Sequence, residues 1–408
     1  MSKFSYPKEK IKVLLLENIH PVAIKLFRDS GYTNIESVNS SLDELSLSEK
    51  LANTRILGFR SKTEIRSSLL QKFPKLLTLG AYCIGTNQID LGQATQQGLA
   101  VFNSPYSNTR SVAELVIGLS IMLLRKIFHK STLAHQGIWD KESKSCYELR
   151  NKTIGIIGYG RIGSQVSVLA ESLGMKVVYY DVEPKLALGN ATPVSLEKLL
   201  KMSDIITLHV PENKTTCNMI GKKELKKIKI GAVLLNIARG SVISATEVAQ
   251  AIKEGRLGGL AVDVFENEPK SKNEKFTSVF QNLSNTILTP HIGGSTEEAQ
   301  ENIGLDVTSK IINYLDKGIS LGSLTVPDLN LPLQKNAHRF LHIHFNVPGV
   351  LSDLNHRLSA LNVNILGQYL KTNEKIGYVV FDIDKGNSST VLKELKQVKN
   401  TIRARALY

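Results

Sequence analysis

The chain has 408 residues, 42% hydrophobic and 22% charged, which fits two or three globular domains and excludes a mini-domain, bulk disorder and a coiled coil. Its 51 Lys and Arg against 37 Asp and Glu leave a formal charge of +14, a surplus that nucleic-acid binders also carry. Here it is dispersed, with 25 basic against 17 acidic residues over 108–294, 10 against 5 over 336–408 and 16 against 15 elsewhere; this excludes a basic arm and fits attraction for small anions.

From Ile11 onward, short apolar runs at 13–16, 56–59 and 76–79 alternate with amphipathic segments at 21–30 and 63–73, the pattern of parallel β/α units. A long helix is predicted over 111–125. A second strand series follows at 153–157, 176–180, 205–209, 232–236, 259–264 and 286–288, with Lys222, Lys223, Lys226, Lys227 and Lys229 spaced as a solvated helix face. After 295 a helix runs to about 317, and Pro327 and Pro332 mark a linker over 326–332. Strand 340–345, helix 350–361, strands 363–370 and 377–383, helix 389–398 and strand 402–406 then give the β-α-β-β-α-β order of a ferredoxin-like fold. The expected class is α/β: two doubly wound, Rossmann-like domains plus a C-terminal ferredoxin-like domain.

The sharpest chemical signal is Gly158-Tyr159-Gly160-Arg161-Ile162-Gly163, placed between an apolar strand and a helix. Glycines there permit a tight turn and close backbone approach, so that a pyrophosphate meets the free N–H groups of the helix start. Asp181 ends the next strand, where a carboxylate bonds the adenosine ribose hydroxyls; Val182 and Glu183 follow it instead of a basic residue, which selects NAD over NADP. A dehydrogenase also needs a group to move the hydroxyl proton and a cation to hold a carboxylate. Arg239, Glu268 and His291 lie after successive predicted strands and have the right chemistry: a guanidinium forks onto a carboxylate, and an imidazole beside a carboxylate is oriented and stabilised when protonated.

Taken together, the stretches 84–90, 103–114, 158–163, 236–240, 262–265 and 289–294 resemble the D-2-hydroxyacid dehydrogenase family over effectively the whole chain, and within it the short bacterial-type phosphoglycerate dehydrogenases that carry a C-terminal ACT domain. The resemblance implies NAD-dependent oxidation of 3-phosphoglycerate to 3-phosphohydroxypyruvate, the entry step of serine synthesis. It implies that His291 is the acid/base, Glu268 its partner and Arg239 the carboxylate ligand. Gly158, Gly160, Arg161, Ile162, Gly163, Asp181, Ala238, Asp263 and Gly294 would contact the dinucleotide, with Asp263 near the nicotinamide amide, and Arg60, Ser61 and Asn108 would hold substrate. It also implies a discontinuous substrate domain (1–107 and 295–332), an NAD domain (108–294), an ACT domain (338–408) and a homotetramer.

In that ACT domain L-serine is the implied effector, with His344 and Asn346 at a strand-to-helix junction and Asn364 on the following strand. Polar groups there suit an amino acid's carboxylate and ammonium across an interface between two modules; a module used only for dimerisation is the plainer alternative. The linker at Asn336-Ala337 lacks the adjacent glycines that similar enzymes use as a hinge.

His342 and His344 share a strand face without a third ligand in spacing, so no metal is expected. Cys83, Cys146 and Cys217 suit neither a disulfide framework nor a zinc site, which points to a reducing cytoplasm. The helix at 112–124 contains Glu114 and is too short to span a membrane, and the charged N-terminus predicts no cleaved signal. The rivals to this reading are another 2-oxoacid (2-oxoglutarate, hydroxypyruvate or glyoxylate) on the same machinery, an NADH-sensing regulatory protein, whose catalytic set would be broken, and nucleic-acid binding, which is not expected.

Overall fold

Five short strands, β1 (Lys12–Leu16), β2 (Ile35–Val38), β3 (Thr54–Phe59), β4 (Thr78–Ala81) and β5 (Ala100–Asn103), form an all-parallel sheet in the order β2-β1-β3-β4-β5. They belong to a computed structural model that describes residues 6–269, 274–332, 337–384 and 388–407. The period-2 alternation of a strand sends Val13 and Leu15 into one apolar cluster and Leu14 and Leu16 into another, so both faces of the sheet are buried. The helices between them, α1 (Pro21–Asp29), α2 (Glu44–Leu51), α3 (Ser67–Lys72) and α4 (Leu91–Gln96), begin at local signals: Pro21 opens α1, while Asp43 and Asp90 cap α2 and α4 by accepting the amides of Ser46 and Gln93, both at 2.9 Å.

The chain then builds a second unit, Asn108–Ala299. Helices α5 (Thr109–Leu124) and α6 (Ile127–His135) lead into β6 (Thr153–Ile157), α7 (Arg161–Ser172), β7 (Lys176–Tyr180), β8 (Thr192–Pro193), α8 (Leu196–Met202), β9 (Ile205–Leu208), α9 (Lys222–Lys227), β10 (Val233–Asn236), α10 (Ala245–Lys253), β11 (Gly259–Val262) and β12 (Thr286–Leu288). The sheet order is β12-β11-β10-β9-β6-β7-β8, all parallel, with the direction of winding reversing between β6 and β9. Ligands of such sheets bind at the carboxyl ends of the strands beside that reversal. Val112, Val116, Leu119 and Leu123 bury one face of α5 against this sheet, the core helix read from 112–124.

The first unit, Met1–Ser107 with Gln300–Tyr408, is completed by most of α11 (Glu297–Lys317) and by β13 (His338–Phe345), α12 (Val350–Ala360), β14 (Ile365–Thr372), β15 (Ile376–Ile383), α13 (Ser388–Gln397) and β16 (Thr401–Ala406). These last strands make an antiparallel sheet, β14-β15-β13-β16, in the ferredoxin-like order. One face packs on α12 and α13 through Phe340, Leu354, Phe381 and Leu395. The other joins Leu341, Ile343, Tyr378 and Val380 to the core of the first sheet. Arg403 adds hydrogen bonds to the Leu76 and Gln97 carbonyls at 2.6 and 3.3 Å, and Tyr378 to the Gly318 carbonyl at 2.6 Å. The expected third domain at 338–408 is therefore grouped with the first unit.

Several expected boundaries move. The helix predicted over 63–73 starts only at Ser67, because the Thr63 amide and hydroxyl bond to Glu17 and Ile65 bridges Ile89, which keeps this stretch out of the helix. The strand predicted at 76–79 lies at Thr78–Ala81; Leu77 only approaches it, its amide reaching the Arg55 carbonyl at 2.7 Å. Strands β2, β5 and β8 and helix α6 were not anticipated. Asn336 of the linker lies outside the described residues.

Arg339 in β13 is buried and forks onto buried Asp382 in β15 (Nε–Oδ1 2.6 Å, Nη2–Oδ2 2.7 Å), and its remaining N–H groups reach the carbonyls of Lys317 (2.9 Å) and Pro332 (2.8 Å). Removing one partner of such a pair strands a buried charge. Asp382→Ala is expected to cost roughly 3–5 kcal/mol, read as a lowered urea midpoint of the full-length protein; an unchanged midpoint would contradict the assignment.

Candidate active site

The glycine turn follows β6 at the winding reversal. Gly158 has φ +93°, and a Cβ there would sit 2.5 Å from the His209 carbonyl; a Cβ on Gly163 would collide with the Gly158 carbonyl. Around Gly160, by contrast, a Cβ would meet nothing within 4 Å, so open space lies against the backbone just where α7 begins with Arg161, Ile162 and Gly163. This is the cradle that a pyrophosphate needs. Asp181 lies just beyond β7, and its Oδ2 accepts the Tyr159 amide at 2.7 Å, which ties the glycine turn to the position where a ribose would lie. Buried Tyr159 stacks on Tyr179 (ring centroids 3.7 Å apart) and its hydroxyl receives the Leu188 amide at 3.3 Å. His209, beyond β9 at the same reversal, is forced by burial down to about 3 and is neutral. The residues present fit an adenine dinucleotide.

Three strands along the same edge carry the proposed acid–base set. At the end of β10, fully buried Asn236 holds the turn that follows, Nδ2 donating to the Arg239 carbonyl at 2.9 Å and Oδ1 accepting the Ala238 amide at 3.2 Å. That turn presents Arg239, whose Nη1 donates to the Ala238 carbonyl at 2.7 Å. Beyond β11 comes Asp263, 1% exposed. Its Oδ1 accepts the Thr289 hydroxyl (2.6 Å) and the Ile292 amide (2.8 Å), its Oδ2 accepts the Gly293 amide (2.8 Å), and its carbonyl accepts the His291 amide (2.8 Å). This grip holds His291 in the left-handed region at φ +54°, a conformation that costs a non-glycine residue and persists only where its surroundings impose it. Asp263, expected near the nicotinamide, shapes the histidine turn through these bonds.

The outcome is a dyad. His291 Nδ1 lies 2.8 and 3.0 Å from the two carboxylate oxygens of Glu268, and the Phe265 amide donates to Glu268 Oε1 at 3.1 Å. The hydrogen bond to Glu268 lifts the imidazole above its ordinary pKa, against partial burial that lowers it. Burial alone would raise Glu268, but the bond and charge of His291, the Phe265 amide and the Arg239 charge together bring it below the usual carboxylate range. With Nδ1–H committed to Glu268, Nε2 is the nitrogen left for a reacting proton.

Asn108, just before α5, lies against Gly294 so closely that a Cβ on Gly294 would strike its amide; its buried Oδ1 has no hydrogen-bond partner among the described residues. Arg60 and Ser61 belong to the first unit, in the loop after β3, with the Arg60 guanidinium unpaired among the described residues.

In the C-terminal module His344 is buried, with its ring over Gly377 and its Nδ1 3.3 Å from His342 Nδ1. Burial lowers both imidazoles, His342 to about 4 with help from its neighbour. Asn346 donates to the Asn373 carbonyl at 2.8 Å. Asn364 was expected on the strand but precedes β14, and it sits at the opposite end of the sheet: His344 registers with Gly377, whereas Ile365 pairs with Ile383. Six residues of strand, about 20 Å, separate these levels, so one copy does not bring Asn364 to His344 and Asn346.

Among the described residues no group of three or more His, Cys, Asp or Glu could hold a metal ion, and no helix is long and apolar enough to cross a membrane. The residues that sequence reading missed are those that hold others: Asn236, His209, Thr289 and the turn-shaping role of Asp263. Their one signal is a polar residue at or just past the end of an apolar run.

Residues 117–293 match the family described as D-isomer specific 2-hydroxyacid dehydrogenase, NAD binding domain, and residues 340–403 match the AHAS small subunit-like ACT domain. The chain is 47% identical to a D-3-phosphoglycerate dehydrogenase of Haemophilus influenzae over 408 residues, covering all of both chains, and 48% identical to one of Dictyostelium discoideum over 99% of each. Among solved structures, a D-lactate dehydrogenase of Aquifex aeolicus complexed with NAD and lactic acid superimposes with a TM-score of 0.67 at 27% identity, over 78% of this chain and all of that one. On these likenesses the chain belongs to the D-3-phosphoglycerate dehydrogenases, within the D-isomer specific 2-hydroxyacid dehydrogenase family.

Proposed function

We propose that this chain is an NAD-dependent dehydrogenase that interconverts 3-phosphoglycerate and 3-phosphohydroxypyruvate, the first step of serine synthesis. The observation that carries the reading is the His291–Glu268 dyad, set on the strand edge that also holds Arg239 and the dinucleotide cradle. A regulatory protein that only senses NADH has no need of a charged dyad aimed by a strained backbone.

Bound NAD would supply the acceptor for the hydride that leaves C2 of the hydroxy acid. Everything else falls to side chains. Arg239 forks onto the carboxylate and fixes the C2 centre. In oxidation His291 Nε2 takes the hydroxyl proton; in reduction the imidazolium returns it, and Glu268 stabilises that cation. Asn108 supplies an acceptor, and Arg60 with Ser61 binds the far phosphate. Asp181 receives the ribose hydroxyls, Gly158 to Gly163 the pyrophosphate, and Ala238 and Gly294 line the dinucleotide.

L-Serine is the proposed effector. Because His344 and Asn346 lie about 20 Å along the sheet from Asn364, the effector site combines these residues from two copies of the module. A homotetramer is the proposed assembly, and in the second unit Trp139, 85% exposed, and Phe128, Ile138 and Tyr147 are exposed large apolar residues of the kind that self-association covers. The cytoplasm is the proposed compartment, in keeping with three cysteines that form no disulfide among the described residues.

His291→Ala is expected to lower kcat about 10²- to 10⁴-fold, the usual worth of a general acid–base, while the Kd for NADH stays unchanged; near-normal turnover would overturn the role. In the reductive direction the imidazolium is required, so kcat falls as pH rises through the raised His291 pKa. Glu268→Gln removes the charge that raises it, and the alkaline limb should move to lower pH; a limb that stays in place would contradict the pairing. Arg239→Lys, which loses the two-point fork, should lower kcat/KM roughly 10²-fold, measured with 3-phosphohydroxypyruvate.

A further inference from the structure

The first sheet has its own winding reversal between β1 and β3, and the loops at their carboxyl ends meet there. Glu17 follows β1. It is 7% exposed, and both it and Asn18 hold left-handed backbone, φ +67° and +52°. Its carboxylate lies across the loop that follows β3: Oε1 accepts the Thr63 amide (2.7 Å) and the Thr63 hydroxyl (2.6 Å), and Oε2 accepts the Lys62 amide (3.0 Å). Thr63 is itself 1% exposed. The other end of the loop is held by Gln88, whose Nε2 donates to the Arg60 carbonyl at 2.9 Å and whose carbonyl accepts the Ile65 amide at 2.7 Å.

Between these two anchors lie Arg60 and Ser61. The Arg60 guanidinium has no partner among the described residues, and Ser61 is exposed, so the backbone is pinned while the side chains point to no protein group. Burying a carboxylate is expensive unless its oxygens are satisfied, and a left-handed non-glycine backbone such as that of Glu17 persists where its surroundings impose it. An apolar residue at 17 would pack more cheaply and would leave the loop's amides without acceptors.

We infer that Glu17, seconded by Gln88, is a positioning residue that aims the Arg60–Ser61 loop and thereby sets the preference for a phosphorylated over an unphosphorylated 2-oxoacid. The inference rests on the reading of Arg60 as the phosphate ligand. It requires the loss on disturbing Glu17 to fall on KM for the phosphorylated acid and to spare chemistry and NADH binding, since misaim of an ångström at a charged clamp is costly.

The test is kcat and KM of the full-length protein with 3-phosphohydroxypyruvate and with hydroxypyruvate, for the unaltered chain, Glu17→Gln, Thr63→Val and Arg60→Ala. Glu17→Gln should raise KM for the phosphorylated acid about 10-fold while kcat and the Kd for NADH hold and hydroxypyruvate kinetics barely change. Thr63→Val, which keeps the side-chain shape and removes one of three donors, should shift the same ratio less. Equal losses on both acids, or an undiminished preference in both variants, would overturn the positioning role. If the unaltered chain shows no preference, or Arg60→Ala keeps it, the phosphate reading of Arg60 fails and the inference falls with it; an Arg60→Ala that loses the preference beside a Glu17→Gln that retains it condemns Glu17 alone.

Discussion

The loops that leave a parallel sheet carry backbone N–H groups with no ladder partner, and in this protein carboxylates just past neighbouring strand ends accept them. Asp263 beyond β11 accepts two amides and a hydroxyl from the turn that carries His291. Glu17 beyond β1 does the same for the loop that carries Arg60, and Asp181 beyond β7 takes the Tyr159 amide of the glycine turn. In each case a carboxylate fixes the backbone of a neighbouring loop and so sets where its side chains start. That device gives each loop a fixed direction within its own unit.

Its energetic logic is a trade. A buried carboxylate facing only apolar atoms would be costly, but one that accepts three short hydrogen bonds is satisfied, and the loop gains a single conformation. The left-handed backbone at His291 and at Glu17 marks where that grip is strongest. Glu268 plays a different part: half-exposed and bonded to His291 Nδ1, it belongs to the chemistry and tunes the proton affinity of the imidazole. Sheet topology then brings these groups together, since β10, β11 and β12 are neighbours and present Arg239, Glu268 and His291 from one edge.

Much of this was legible in the sequence, because parallel sheets buried on both faces write themselves as apolar runs. Strands β6, β7 and β12 lie where the runs at 153–157, 176–180 and 286–288 put them. Edge strands were less visible: β2 reads Ile-Glu-Ser-Val and is only partly buried, so it lacks the run. The helix at 63–73 was overextended because its amphipathic spacing says nothing of a distant Glu17 that captures Thr63. The reacting groups were readable as His, Glu and Arg after strands, whereas the residues that hold them (Asn236, Thr289, Gln88) look like ordinary loop polar residues until the fold supplies their partners. Asn364 shows the limit in another way, since strand order, not residue type, places it far from His344.

The central claim is that this strand edge serves hydride and proton transfer on a phosphorylated acid, with the C-terminal module as the proposed seat of control. The most direct measurement is NADH oxidation by the full-length protein with 3-phosphohydroxypyruvate, beside 2-oxoglutarate and glyoxylate, each with and without L-serine in the millimolar range. Fastest turnover of the phosphorylated acid, suppressed by serine, is the result this account predicts; no turnover of any of the three acids would contradict it.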